Sequence, residues 1–255
     1  MELSRTCAIV TGGGSGMGRE FTLALARAGA SVLAADVDPT ALAGTAEAAA
    51  GLPGRVVVHQ ADVSDEGQVI ALIETAAEAL GGLNALVNNA GIFRDGLLIR
   101  PDKESGAIKK MSLAQWNQVI AVDLTGPFLC TREFAARMAT TKTPSSVVVN
   151  ISSVARHGNP GQTNYSAAKA GLVADTKLWA VELARYGVRV GAIAPGFVDT
   201  PILQGMRPDV LEGMLKGVPL RRPATPNEIW LAVKFVIECD YFTGRCIDVD
   251  GGLTV

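Results

Sequence analysis

Short apolar runs alternate with longer amphipathic stretches along the whole of this 255-residue chain. Several runs are β-branched and almost continuously apolar, which is typical of strands buried on both faces of a sheet. Seven runs are predicted as strands: 6–11, 31–36, 55–60, 85–88, 146–151, 189–194 and 245–249. Strands that alternate with helices predict an α/β fold, a doubly wound parallel sheet with helices on both faces.

The stretches between the strands predict six helices: 17–28, 39–50, 65–80, 112–140, 165–186 and 226–238. Asp38 and Thr225 are the expected N-caps of two of them, each followed by proline at the first helical position. The polar segment 94–110 is predicted to be a surface excursion. The apolar segment 201–219, which contains Met206 and Met214, is either a substrate lid or an ordinary helix pair over the core. No repeat or low-complexity linker interrupts residues 1–255, which predicts one domain.

Composition excludes several classes of function. Charged residues make up 19% of the chain and the net charge is −2, so neither nucleic acid nor an anionic membrane is expected as a partner. No apolar stretch is long enough to span a membrane, and no signal-peptide pattern precedes the first strand. The four cysteines form no C-x-x-C pair and the two histidines lie far apart, so no metal site is expected. Isolated thiols fit a reducing compartment, and the cytoplasm is predicted.

A glycine-rich turn joins the first strand to the first helix. It reads Thr11-Gly-Gly-Gly-Ser-Gly-Met-Gly18, and such a turn lets backbone amides and a helix N-terminus approach a pyrophosphate. Asp36 ends the second strand 18 residues later, where an acid binds the ribose hydroxyls of adenosine. A carboxylate there repels a 2′-phosphate, Ser15 and Val37 are neutral, and Arg19 is expected to point along the helix. These residues predict NAD(H) in preference to NADP(H).

Tyr165 and Lys169 are one helical turn apart, and Ser152 precedes the tyrosine by thirteen residues. Residues i and i+4 share a helix face, so the ammonium is expected to lower the phenol pKa from its usual value of about 10. Such a phenol can exchange a proton with an alcohol or a carbonyl oxygen. The pair alone also fits an ordinary helix surface, and the glycine-rich turn is what favours a catalytic role.

Six motifs in order make this chain resemble the short-chain dehydrogenase/reductase family, in its single-domain Rossmann-type branch. They are the glycine-rich turn, Asp62-Val63, Asn88-Asn89-Ala90-Gly91, the Ser152/Tyr165/Lys169 set, Pro195-Gly196-Phe197-Val198-Asp199-Thr200 and Asp250-Gly251-Gly252. The resemblance implies cofactor contacts from these positions: Gly12, Ser15, Gly16, Met17, Gly18, Asp36, Asp62, Val63, Asn89, Ala90, Gly91, Tyr165, Lys169, Pro195, Gly196, Val198 and Thr200.

The resemblance also implies catalytic roles. Tyr165 would be the general acid in carbonyl reduction and the general base in alcohol oxidation, and Lys169 would bind the nicotinamide ribose. Ser152 would donate a hydrogen bond to the substrate oxygen, with Ser153 structural, because the thirteen-residue separation selects the former. Asp123 stands where the family usually has an asparagine that helps to hold a water in a proton relay. It could replace that relay, or it could pair with Lys169 and weaken its effect on Tyr165.

The pattern says less about the substrate. Pocket walls are expected from 93–95, 154–160, 196–197 and the lid segment, with Arg156 and His157 as weaker candidates. The chain resembles 3-oxoacyl-acyl-carrier-protein reductases, which typically use NADPH and dock the carrier through arginines where this chain has Thr143 and Tyr186. With Asp36, this favours a ketone or secondary alcohol outside the carrier pathway.

Two alternatives stay open, a reductase of fatty-acid synthesis and a non-catalytic dinucleotide sensor. Another Rossmann-type enzyme is disfavoured by the spacing of the turn. A homotetramer or homodimer packed through the two long helices is expected, with small residues that allow close approach: Ala135, Ala136, Ala167, Ala168 and Ala180.

Overall fold

The computed structural model describes residues 1–205 and 208–253, so Met206 of the expected lid lies outside the described residues. Its strands, in chain order, are β1 (Cys7–Thr11), β2 (Ser31–Asp36), β3 (Arg55–Gln60), β4 (Ala85–Asn88), β5 (Ile99–Pro101), β6 (Ile108–Lys110), β7 (Ser146–Ile151), β8 (Val188–Pro195) and β9 (Cys246–Val249). In the described part of the chain, seven of them form one parallel sheet in the order β3-β2-β1-β4-β7-β8-β9. The predicted α/β fold is confirmed.

The order of the strands places the functional cleft. From β1 the chain runs outward to β2 and β3, then returns to the other side of β1 at β4. Such a reversal opens a crevice at the carboxyl ends of the strands on either side of it, here β1 and β4. The glycine-rich turn after β1 and the Asn-Asn-Ala-Gly segment after β4 therefore meet at this crevice.

Helices cover both faces of the sheet. In chain order they are α1 (Gly16–Arg27), α2 (Pro39–Ala48), α3 (Glu66–Leu80), α4 (Leu113–Ile120), α5 (Gly126–Thr141), α6 (Thr163–Glu182), α7 (Pro201–Gln204), α8 (Pro208–Leu215) and α9 (Pro226–Glu238). The Asp38 side chain accepts from the backbone N–H groups of Thr40 and Ala41, and the Thr225 side chain accepts from that of Glu228. Both predicted caps are confirmed.

Two apolar cores lie on opposite faces of the sheet. Ile9 of β1 packs in one core with Leu72 and Phe134, whereas its neighbours Ala8 and Val10 pack in the other. This alternation follows from the two-residue period of a strand. The sheet is therefore buried on both faces, and its carboxyl edge is left as the place for a site.

The helix predicted over 112–140 is divided into two. Between α4 and α5 lies one π-helical turn, Ala121–Thr125, in which the Gly126 N–H donates to the Ala121 carbonyl. Pro127 follows at the start of α5 and has no N–H to donate to the carbonyl four residues before it, so the ladder of bonds must change there. The turn places Asp123 in the protein interior, with no exposed surface.

The segment 94–110 contains an antiparallel hairpin, β5–β6, as expected of a surface excursion. No helix in the described part of the chain is long and apolar enough to cross a membrane.

Candidate active site

A cleft of about 890 Å³ opens at the carboxyl edge of the sheet. It extends from Asp36 at the end of β2 to Met214 in α8. The residues predicted to bind the cofactor or act in catalysis all line it, except Gly18 and Asp123. Both exceptions lie directly behind the wall: a Cβ on Gly18 would come 2.0 Å from the Gly12 carbonyl oxygen, and Asp123 contacts Lys169.

The glycine-rich turn fits the phosphates of a dinucleotide. Ser15 is the N-cap of α1, yet its side chain makes no capping hydrogen bond, so the first N–H groups of the helix have no side-chain partner. Gly12, Ser15, Gly16 and Met17 line the cleft at this point. Unpaired N–H groups and the helix dipole favour an anion there.

The end of the cleft that was predicted to hold adenosine is lined by two acids, each hydrogen-bonded to neighbouring residues. The Asp36 carboxylate accepts from the backbone N–H groups of Gly14, at 3.0 Å, and Asp38, at 3.1 Å. Asp62 accepts from the Ser64 N–H and hydroxyl, at 2.9 and 2.7 Å. Asp62 and Val63 face the cleft where the resemblance places adenine.

The segment after β4 joins the cleft to the centre of the sheet. The Asn89 side chain donates to the Thr11 carbonyl oxygen at 3.0 Å, and the Asn89 and Ala90 N–H groups donate to the Thr11 hydroxyl. A buried chain of hydrogen bonds that the sequence did not predict runs alongside. Asn88 donates to Asn150, and Asn150 donates to Thr176 of α6.

Tyr165 lies in the first turn of α6, and its ring packs at a tilt of 38° against Phe93, with the ring centres 4.6 Å apart. The Lys169 ammonium lies 5.4 Å from the centre of the phenol ring, so the predicted shared face is present. Burial is the largest influence on the Tyr165 pKa and raises it, and the charge of Asp123 also raises it. The nearby Lys169 cation lowers the pKa, but the sum is a raised pKa. Lys169 thus lowers the Tyr165 pKa as predicted, but the prediction that the pKa would fall below its usual value is not met.

Asp123 makes a buried ion pair with Lys169. Its carboxylate lies 3.1 Å from the Lys169 ammonium and accepts from the Ile92 N–H at 2.8 Å. Lys169 also donates to the Ile151 carbonyl oxygen at 3.1 Å. Burial raises the Asp123 pKa, against the opposing effect of the Lys169 cation. Burial alone would lower the Lys169 pKa, but the charges of Asp123 and Tyr165 leave it raised. Of the two possibilities raised by the sequence, the structure contains the pairing with Lys169.

The structure contradicts the choice between the two serines. Ser152 is buried, and its hydroxyl donates at 2.9 Å to the Lys169 carbonyl oxygen, which leaves that hydroxyl proton unavailable to a substrate. The Ser152 N–H donates to Ile193 of β8, so the residue still belongs to the sheet ladder. Ser153 also lines the cleft, and its hydroxyl lowers the pKa of the nearby Tyr165 phenol. Ser153 is thus the serine placed beside the tyrosine, although counting thirteen residues selected its neighbour.

Of the other residues predicted to line the pocket, some line the cleft and others do not. Phe93, Asp95, Asn159 and Pro160 line the cleft. Arg156 instead pairs with Asp248 of β9 at 2.7 Å, and His157 is exposed outside the cleft. Among the described residues of the expected lid, Pro201, Leu203 and Met214 reach the cleft. Val198 and Thr200 line the same cleft.

Comparison with known proteins agrees with this geometry. A family model described as Enoyl-(Acyl carrier protein) reductase matches residues 12–254. The chain belongs to the short-chain dehydrogenase/reductase family. As a member of this oxidoreductase family, it acts on CH–OH groups and interconverts ketones and secondary alcohols.

Three relatives in this family align over nearly the whole chain. The 3-oxoacyl-[acyl-carrier-protein] reductase FabG of Thermotoga maritima is 39% identical, with 100% of both chains covered. The 3-oxoacyl-[acyl-carrier-protein] reductase of a Synechocystis species is 39% identical, over 99% of this chain and 98% of its own. The (3R)-3-hydroxyacyl-CoA dehydrogenase of Canis lupus familiaris is 36% identical, over 99% of this chain and 98% of its own.

The predicted preference for NAD(H) is wrong. It set this chain apart from the 3-oxoacyl-acyl-carrier-protein reductases, which typically use NADPH, yet relatives of that name are 39% identical over essentially the full length. The prediction treated Asp36 as a bare repelling charge, whereas two backbone N–H groups bind its carboxylate. It also placed Arg19 along α1, whereas the Arg19 guanidinium lies against Gly44 of α2.

Proposed function

We propose that this protein interconverts a 3-oxoacyl and a 3-hydroxyacyl group, with a nicotinamide dinucleotide as the redox partner. The observation that carries the proposal is that buried Tyr165 and Lys169 lie with partly exposed Ser153 beside a cleft that fits a dinucleotide. The names of the relatives support the acyl substrate, since they include 3-oxoacyl reductases and a 3-hydroxyacyl-CoA dehydrogenase.

The roles of the residues follow from their contacts. The dinucleotide, when bound, supplies or accepts the hydride. In reduction, Tyr165 gives its phenolic proton to the carbonyl oxygen, and in oxidation it takes the proton from the alcohol. Lys169 supplies a fixed positive charge that favours the phenolate. Ser153 donates a hydrogen bond to the reacting oxygen and stabilises the negative charge that develops there.

Replacing Tyr165 by phenylalanine tests the proton transfer. The change removes the hydroxyl and little volume, so kcat should fall at least about a hundredfold. Steady-state turnover of a 3-oxoacyl thioester with NADPH and with NADH measures this. A rate near that of the wild type would end the assignment of Tyr165.

The two serines provide a matched pair of variants. Ser153→Ala should lower kcat about a hundredfold, the effect of removing one preorganised donor from a reacting oxygen. Ser152→Ala removes the bond to the Lys169 carbonyl and should cost about 1 kcal/mol of stability while leaving most of the activity. A large loss of kcat in Ser152→Ala with little loss in Ser153→Ala would instead support Ser152, the serine that the spacing selected.

The description of the matching family suggests a second candidate, reduction of an enoyl group. A 2-enoyl thioester assayed beside the 3-oxoacyl thioester distinguishes the two reactions. Turnover of the enoyl compound alone would replace the proposed function.

We also infer that the protein forms a homodimer or homotetramer through α5 and α6. Phe128, Leu178 and Val181 leave large apolar surfaces exposed on these helices. Among the predicted small residues, Ala135, Ala168 and Ala180 are buried inside the protomer, so their size serves the internal packing. Sedimentation of the purified protein measures the assembly, and a monomer at micromolar concentration would contradict it.

A further inference from the structure

A chain of hydrogen bonds at the cleft wall ends on the carboxylate of Asp95. The Asn159 side chain donates to the Gln162 side-chain oxygen at 2.8 Å, and the Gln162 side chain donates to Asp95 Oδ2 at 2.9 Å. All three side chains belong to residues that line the cleft. Because Gln162 precedes Tyr165 by three residues, these bonds hold the Asp95 carboxylate near the reacting end of the cleft.

One oxygen of this carboxylate is left over. Asp95 Oδ1 accepts no hydrogen bond from any residue that the structure describes, and Asp95 is exposed at the cleft wall. An ionised carboxylate accepts hydrogen bonds and donates none. A molecule that enters this end of the cleft therefore meets a negative charge with a free acceptor.

No cation at this end of the cleft neutralises Asp95. Among the described residues that line the cleft, Lys169 is the one cation, and it is already paired with Asp123 at 3.1 Å. Arg94 is next to Asp95 in the chain, but it does not line the cleft, and its guanidinium donates to the Gln118 side chain of α4 at 3.1 Å. The field at the substrate end is thus set by the Asp95 carboxylate.

Much of the wall around Asp95 offers nothing to an anion. Apolar residues line this part of the cleft, among them Phe93, Pro160, Leu203 and Met214. A carboxylate placed against such a wall loses hydration without gaining a partner. The charge of Asp95 also raises the Tyr165 pKa, so its effect extends to the phenol that exchanges a proton with the substrate.

We propose that Asp95 determines the charge of the substrate by discriminating against molecules that carry an anionic group close to the reacting carbonyl. The inference rests on the proposed function, which places that carbonyl beside Tyr165. Free 3-oxo acids, whose carboxylate is two bonds from the carbonyl carbon, are then poor substrates. The same acyl groups are accepted when the carboxyl is masked in an uncharged form.

Two 3-oxo compounds of similar size test the inference. Acetoacetate is an anion at neutral pH, and methyl acetoacetate has no charge. The measured quantity is the ratio of kcat/KM for acetoacetate to kcat/KM for methyl acetoacetate. Asp95→Asn should raise this ratio about two- to fivefold, the size expected of one exposed charge interaction. Any effect of the variant through the Tyr165 pKa is common to both compounds and cancels in the ratio.

A series of charges at position 95 separates charge from structure. Asparagine can still accept from Gln162, so the chain of hydrogen bonds should survive in Asp95→Asn. Asp95→Glu keeps the charge and should keep the ratio of the wild type, whereas Asp95→Lys should raise the ratio above that of Asp95→Asn. Asp199→Asn is the matched control, because Asp199 is exposed and accepts from the Gln204 side chain at 3.0 Å but does not line the cleft. It should leave the ratio unchanged.

Salt gives a readout that a structural role of Asp95 would not move. Raising the ionic strength from about 0.01 M to about 1 M shortens the screening length from about 30 Å to about 3 Å. The ratio should therefore rise with salt in the wild type and change less in Asp95→Asn. The proposal is overturned if Asp95→Asn leaves the ratio unchanged, if Asp95→Glu raises it as much as Asp95→Asn does, or if both proteins respond equally to salt.

The same variants separate this inference from the proposed function. If the wild type reduces methyl acetoacetate and the ratio is the same throughout the charge series, the proposed reaction stands and the role of Asp95 fails. If the wild type reduces neither 3-oxo compound, levulinate and its methyl ester, which carry the carbonyl one carbon further away, replace them. A ratio for this pair that rises in Asp95→Asn would mean that the proposed reaction fails and the discrimination by Asp95 stands.

Discussion

Replacing Asp123 by asparagine should make Tyr165 easier to ionise. The Lys169 ammonium lies 5.4 Å from the Tyr165 ring centre and 3.1 Å from the Asp123 carboxylate. The carboxylate therefore lies within about 8.5 Å of the ring centre, the sum of those distances. At an effective dielectric constant of about 20, two unit charges this far apart interact by about 2 kcal/mol. Removing the carboxylate charge should therefore remove a repulsion of the phenolate of about this size.

The expected result is a shift of the pH profile toward lower pH. The Tyr165 pKa is raised by burial first and by Asp123 as well, so asparagine lowers it. Alcohol oxidation needs the phenolate and rises with pH up to this pKa. Below the pKa, about 2 kcal/mol corresponds to about a thirtyfold larger phenolate fraction and a similarly faster oxidation. Reduction needs the protonated phenol, so the rate of reduction should begin to fall at a lower pH in the variant than in the wild type.

The assay is kcat against pH in both directions, with wild type and variant compared at saturating cofactor. Asparagine keeps an oxygen that can accept from the Ile92 N–H, so the local fold should survive. Asp95→Asn is the matched control, because Asp95 also raises the Tyr165 pKa but is exposed to water. Its effect should be smaller.

An unchanged profile in Asp123→Asn would refute the reasoning, since it would mean that the Asp123 carboxyl is already protonated in the folded protein. An equal shift in both variants would refute the role of the buried ion pair.

Three further predictions concern the rest of the fold. Gly18→Ala should destabilise the protein by about 1–3 kcal/mol or more, because the new Cβ would lie 2.0 Å from the Gly12 carbonyl oxygen; an unchanged melting temperature would contradict the close helix–strand contact. Thr225→Ala should lower the free energy of unfolding, measured in urea, by about 1 kcal/mol, because it removes the N-cap of α9. Thr225→Ser keeps a hydroxyl at the cap and should retain most of that stability. Burial raises the Cys130 pKa to about 12, so a thiol reagent at pH 8 should label Cys130 only after unfolding; rapid labelling of the native protein would contradict its burial.

Local patterns in the sequence were sufficient for the elements of the fold. The bounds of β2, β3, β4 and β7 agree with the predicted runs residue for residue, because each is a short apolar run flanked by polar residues. The caps at Asp38 and Thr225 were predictable for a similar reason, since each depends on a bond across only a few residues. The glycine-rich turn and Asp36 needed only the order of the first two strands to be placed at one cleft.

The tertiary structure decided which groups carry charge and which protons are free. Counting residues selected Ser152, but that hydroxyl is turned toward α6 and bonded there, and adjacent residues at a strand end face opposite sides. The Asp123–Lys169 pair depends on the π-helical turn Ala121–Thr125, just before Pro127, which interrupts what the sequence predicts as one helix. The Tyr165 pKa depends on burial by residues distant in sequence. Such effects come from neighbours in space, so a pattern read along the chain determines the fold and the residue types of the site, but not its electrostatics.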